Sequence, residues 1–195
     1  MDNVVTLIKN DHATLEWFFG KLESEETPTE EKAELLTRLE AVLVPHSRAE
    51  EQVVYPSIEQ AVPSEDDEVK DSRAEHQHVD ELMAQLKAEP IDAPGADGIL
   101  AAMIGELRHH IEEEEQDILP EYADAADDDE LDRVGREFRA AKERVRVEHG
   151  FPEPERPELI DLTRDELYDR AKASGVVGGS SMTKDELVQA LSGAE

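Results

Sequence analysis

His46-Ser47-Arg48-Ala49-Glu50-Glu51, with Tyr55-Pro56 after it, decides the fold, because the chain carries it twice. A shift of 64 residues brings it onto His110-Ile111-Glu112-Glu113-Glu114-Glu115, with Leu119-Pro120 following. The same shift lays Asp11-His12 on Glu75-His76. It lays Leu15, Phe18, Phe19 and Leu22 on Val79, Leu82, Met83 and Leu86, and Leu36, Leu39 and Leu43 on Leu100, Met103 and Leu107. A repeat of this length, apolar at steps of three and four, reads as one helical hairpin copied in tandem.

The polar residues fall on the same stripes. In the second helix Leu36, Leu39, Leu43, His46, Glu50 and Val53 share one side, and in the fourth Leu100, Met103, Leu107, His110 and Glu114 do. His12 lies between Ile8 and Leu15 of the first helix, and His76 between Val69 and Val79 of the third. Histidines 12, 46, 76 and 110 and glutamates 50 and 114 are therefore expected in the core. Burying them unpartnered is costly, and a metal ion removes that cost.

Each His-x-x-x-Glu pair neighbours on a helix surface, close enough to share one ion. Imidazole with carboxylate suits iron or manganese, and carboxylates can bridge two ions. A lone His-x-x-x-Glu is ordinarily a helix-face pair, and a lone histidine on an apolar stripe is ordinarily a hydrogen-bonded core residue. Two pairs and two further stripe histidines, all in repeat register, point to a metal instead. His78 and His109 fall off the stripes, His149 ends the fifth helix and reads as exposed, and Glu112 and Glu113 read as a solvated face. Glu51 and Glu115, one step past the stripe, remain within reach of a metal.

Punctuation sets the expected helix limits. The first helix spans about Asn3 to Glu23. The second opens at Thr27-Pro28-Thr29-Glu30 with Thr27 as cap, and runs through Pro45 to about Gln60. Pro45 removes a hydrogen bond there and is expected to bend the helix. The third follows Pro63-Ser64, with Asp67 in the capping-box position, and stops before Pro90. The fourth covers roughly Asp97 to Tyr122, and a fifth follows Asp127-Asp128-Asp129-Glu130 and fades near His149. Residues 1–149 are expected to form the bundle with its extra helix, 150–158 a proline-rich linker, and 159–195 a small helix-loop-helix module.

Composition bounds the chemistry. Acidic residues number 50 against 20 basic, a formal net charge of −30, which repels phosphate backbones and makes nucleic-acid binding an unfavoured role. There is no cysteine, so disulfides, thiolate zinc sites and iron–sulfur clusters are excluded and any metal takes nitrogen and oxygen ligands. No basic start followed by an apolar run is seen, and no run spans a membrane, so a cytoplasmic location is expected.

From Met1 to Tyr122 the chain resembles the hemerythrin-like, or HHE cation-binding, family. The likeness rests on Ile8-Lys9-Asn10-Asp11-His12, both His-x-x-x-Glu-Glu motifs, and Tyr55-Pro56 and Leu119-Pro120. It implies an all-α, up-and-down four-helix bundle with a non-haem centre of two iron ions, held by His12, His46, Glu50, His76, His110 and Glu114. Oxygen-carrying members have His-x-x-x-His on the third helix, where this chain has His76 and Asp80. They end on His-x-x-x-x-Asp, where it has His110 and Glu115, with Glu114 competing. More carboxylate stabilises the ferric state, so chemistry with oxygen, peroxide or nitric oxide is expected over simple oxygen carriage. Catalase-like activity, proposed for an actinobacterial subgroup, is one form of it.

The C-terminal hairpin, Leu162 to Leu191, resembles SAP and Rho N-terminal-like modules through Leu167-Tyr168-Asp169-Arg170-Ala171-Lys172 and Met182-Thr183-Lys184-Asp185-Glu186-Leu187. Six acids against four bases over residues 159–191 favour a protein contact or a merely structural role there over DNA binding. The alternative function is thus an iron or oxygen sensor that signals through this module.

Overall fold

Asn3 starts the first helix because its side chain accepts hydrogen bonds from the otherwise orphaned N–H groups of Val5 and Thr6. The structure, a computed structural model, describes residues 3–152, 162, 164–173, 176 and 178–192. Helix α1 spans Val4–Glu23 and α2 spans Thr29–Ala49. A π-helical turn, Glu50–Val54, leads on without a break into α3, Tyr55–Ala61. A 3₁₀ turn at Pro63–Glu65 precedes α4, Asp66–Ala88. Helix α5 covers Ala96–Glu113, and a second π-helical turn, Glu114–Ile118, joins it to α6, Leu119–Ala125. Helix α7 is Asp128–His149, α8 is Arg164–Ala173 and α9 is Lys184–Ser192. The fold is all-α, with four long rods forming the bundle.

Two expected caps are corrected. Helix α2 begins at Thr29 with Pro28 in the cap position, and no side chain caps it, so Thr27 lies outside the helix. Helix α4 has Glu65 at its cap, again without a side-chain bond, because the 3₁₀ turn feeds directly into it and leaves no place for the box that Asp67 would complete. Asp127 does cap α7, accepting from Glu130 N, and Thr183 with Glu186 forms a reciprocal capping box at α9. Helix α2 runs unbroken through Pro45, which is buried.

Two apolar clusters lie at opposite ends of the bundle. One gathers Phe18, Phe19, Leu22, Leu39, Leu43, Met83 and Leu107 with their neighbours. The other gathers Ile8, Val54, Tyr55, Ile58, Val69, Ile118 and Tyr122. Burying each such side chain contributes about 1.5–3 kcal/mol. Helix α7 packs on α1 and α2 and adds Val134, Phe138 and Ala141 to the second cluster. Helices α8 and α9 pair, α8 rests on α1, and Leu167, Ala171, Leu187 and Leu191 extend the first cluster. The expected linker falls largely on residues 153–158, outside the described residues. Among the described residues no helix is long and apolar enough to cross a membrane.

Candidate metal centre

Between the two apolar clusters lies a polar layer. His12, His46, Glu50, His76, His110 and Glu114, the residues singled out from the repeat, are all buried in it, at 0–3 % exposure. Helix α1 supplies His12, α2 His46, α4 His76 and α5 His110. The glutamates open the two π-helical turns, which are themselves one repeat apart. The sequence pattern suggested plain α-helix at these places. In a π-turn the Tyr55 N–H bonds back to Glu50 O, and the Leu119 N–H to Glu114 O, so each turn holds an extra residue. That extra residue rotates the chain enough for Glu50 and Glu51, adjacent in sequence, both to reach a core histidine.

The histidine Nε2 atoms face the two glutamates. Glu50 Oε1 lies 3.1 Å from His46 Nε2, and its Oε2 lies 3.6 Å from His76 Nε2. Glu114 Oε2 lies 3.3 Å from His12 Nε2 and 3.8 Å from His110 Nε2. The rings pair as His12 with His46, centroids 5.1 Å apart, and His76 with His110, at 4.6 Å. Two groups with metal-binding spacing follow, His12/His46/Glu50 and Glu50/His76/His110, sharing Glu50. Each glutamate thus spans both histidine pairs, whereas spacing alone suggested one ion for each His-x-x-x-Glu.

Behind the histidines stand carboxylates on every Nδ1. His12 Nδ1 is 3.0 Å from Glu115, His46 Nδ1 3.2 Å from Asp11, His76 Nδ1 3.2 Å from Glu51, and His110 Nδ1 3.0 Å from Glu75. A carboxylate accepts, so the Nδ1 proton is held there and Nε2 is left to coordinate, the usual arrangement behind metal-bound imidazoles. Glu51 and Glu115, which the sequence left within reach of a metal, are placed on Nδ1 atoms. Asp80 pairs with Arg48, which also donates to Glu51 at 3.0 Å. His78, His109 and His149 are exposed, as the off-stripe positions of the first two and the helix-end position of the third suggested.

Sequence reasoning missed the roles of Asp11, Glu75, Tyr55 and Lys142. The repeat held a signal for the first two, since Asp11 and Glu75 occupy equivalent places beside His12 and His76. Tyr55 breaks the repeat, matching Leu119 in the other half. Its buried hydroxyl donates to Glu114 Oε1 at 3.0 Å and lies 3.5 Å from His76 Nε2. Lys142 reaches Asp11 from α7, an element with no repeat counterpart.

Charge in this layer is divided unevenly. Burial would lower the His12 pKa, but Glu114 and Glu115 overcome it and raise it to about 9. Burial dominates at His46, lowering it to about 4, and lowers His76 as well. Glu50 is pushed up by burial and by the Glu114 charge. Glu114 also feels burial, but His110 and His12 hold its carboxyl below the usual range. Asp11 is held low against its burial by Lys142 and His46, and Tyr55 is pushed up by burial and by Glu114.

Four atoms test whether these residues fit a metal. His12 Nε2, Glu50 Oε1, Glu50 Oε2 and Glu114 Oε2 are buried and make no hydrogen bond, although nitrogen and oxygen come as close as 3.1 Å. Buried nitrogen and oxygen atoms turned toward a common point, without a hydrogen bond between them, are what a cation site offers, and an unpartnered buried polar atom is otherwise costly. The donor set fits a metal cation.

The model of the hemerythrin HHE cation binding domain matches residues 3–122, well over half of the 195. No curated protein and no solved structure matches the chain. With its all-α bundle and its buried layer of histidine and glutamate, the chain belongs to the hemerythrin HHE cation-binding family.

Proposed function

We propose that this chain is a non-haem iron protein that holds two iron ions and handles oxygen, peroxide or nitric oxide, with catalase-like peroxide decomposition as its activity. The observation that carries the reading is the convergence of unbonded His12 Nε2, Glu50 Oε1 and Oε2, and Glu114 Oε2 in one buried layer. His12 and His46 would hold one ion, His76 and His110 the other, with Glu50 and Glu114 shared between them. Iron bound there supplies one-electron redox chemistry toward small oxidants.

The chain's own residues set the conditions. Glu115, Asp11, Glu51 and Glu75 orient the imidazoles through Nδ1. Tyr55 holds one oxygen of Glu114 by hydrogen bond, and so leaves the other for coordination. Leu43, Leu107 and Phe19, all buried in the neighbouring cluster, restrict water. Carboxylate-rich ligation favours the ferric state, which suits turnover of peroxide more than reversible oxygen carriage.

The test is peroxide consumption by iron-loaded protein, followed as oxygen release. Release that is lost in His46→Ala and His110→Ala supports the reading. Iron-loaded protein that leaves peroxide untouched contradicts the catalase-like part.

A sensor is the second reading, favoured by the packing of α8 on α1, the helix that carries His12. The C-terminal hairpin, with its likeness to SAP and Rho N-terminal modules, would then report the state of the centre to a protein partner. Hydrogen exchange in residues 164–192 that changes on iron loading supports this; unchanged exchange contradicts it.

A further inference from the structure

Asp11 and Glu75 do the same work one repeat apart, yet their outer surroundings differ. Asp11 accepts from His46 and pairs with Lys142 of α7, where Pro45 lines the same pocket; Ala49, one turn on, is buried. In the second half the positions that match Pro45 and Ala49 are His109 and Glu113. Glu75 Oε2 accepts from His110 Nδ1 at 3.0 Å, and its Oε1 lies 3.9 Å from His109 Nε2. Glu113 Oε1 lies 3.4 Å from the same nitrogen, one turn along α5. The three groups have metal-binding spacing.

The four carboxylates on Nδ1 atoms are not equally compensated. Asp11 has Lys142, Glu51 has Arg48, and the Glu115 side chain is 34 % exposed and so well hydrated. The Glu75 side chain is only 14 % exposed, and the groups that face it are His110, His109 and Glu113. It is therefore largely dehydrated and close to a second carboxylate, with no lysine or arginine pairing to it among the described residues. An imidazole nitrogen, His109 Nε2 on an accessible ring that is 60 % exposed, lies 3.9 Å from its outer oxygen. One imidazole and two carboxylates suit a borderline divalent ion better than Mg²⁺ or Ca²⁺, which prefer all-oxygen sites.

We propose that Glu75, His109 and Glu113 form a separate, solvent-open site for a divalent transition-metal ion such as Zn²⁺ or Fe²⁺, sharing Glu75 with His110. The bound ion does for Glu75 what Lys142 does for Asp11, and water fills its remaining positions. Calorimetric titration of the iron-treated full chain with Zn²⁺, in excess Mg²⁺ to occupy ordinary acidic patches, tests this. Wild type takes up one more Zn²⁺ per chain than His109→Ala, and Glu113→Gln weakens that binding roughly tenfold or more. Both substitutions are at exposed side chains. Because the readout is a difference between variants, zinc entering the buried layer adds equally to both and does not mimic it. Equal uptake by wild type and His109→Ala overturns the proposal, as does a His109 Nε2 resonance that Zn²⁺ leaves unmoved.

Discussion

Glu114 Oε2 lies 3.3 Å from His12 Nε2 on α1, nearer than the 3.8 Å to His110 Nε2 on its own helix. A carboxylate that spans two histidine pairs would tie α1 to α5 through a cation bound between them. Glu114→Gln keeps the shape and removes the charge. Metal retention by this variant is expected to fall at least tenfold; competition with a chelator measures it. Retention equal to wild type would mean Glu114 is not a ligand.

Tyr55 is the only donor bonded to the other oxygen of Glu114 among the described residues. Tyr55→Phe leaves that oxygen unpaired in a dry site. The metal-free variant is expected to lose about 1–3 kcal/mol of stability in urea denaturation. A change near zero would show that the hydroxyl contributes nothing there.

Asp11 joins His46 on one side to Lys142 on the other. Asp11→Asn weakens the Nδ1 interaction and strands Lys142. We expect metal affinity to drop about 10–100-fold, with the helical circular dichroism spectrum unchanged. The α7 side of the interaction is checked by Lys142→Met, which should lower affinity less than Asp11→Asn.

Metal binding and pH are linked through His12 and Glu50. In the metal-free protein His12 stays protonated up to about 9, and Glu50 holds its proton above the usual carboxylate range. His12 must release its proton to coordinate, so uptake near neutral pH should liberate about one proton per chain from it, read as a buffer-dependent enthalpy, and the raised Glu50 adds to the release as pH falls. Because the folded pKa of His12 is raised from 6.5 to about 9, its stabilising share is full below 6.5 and disappears as pH rises through about 9. The stability difference between metal-free wild type and His12→Asn should shrink across that window. His46, lowered to about 4, is expected to remain neutral until pH falls near that value, followed by its ring resonances.

The repeat made the bundle and the six inward residues legible, because periodicity places a side chain on a face without any knowledge of its partners. It gave no account of the pairing across helices. That Glu114 leans toward His12, and that Glu115 backs the same ring, depends on which helices are neighbours and on the π-turns. Those turns have no marker in the hydrophobic pattern, which reads the same for α and π over so short a stretch. Lys142 was invisible for another reason: its helix has no copy elsewhere in the chain. The missing caps of α2 and α4 show a local motif overridden by neighbouring proline-led turns.

The most direct test of the account is metal analysis of protein expressed with added iron, together with the same protein carrying His46→Ala and His110→Ala. The account predicts two irons per chain in the wild type, with a visible absorption that peroxide alters, and loss of both in the double variant. A colourless wild-type protein without iron, even after anaerobic reconstitution, would contradict it.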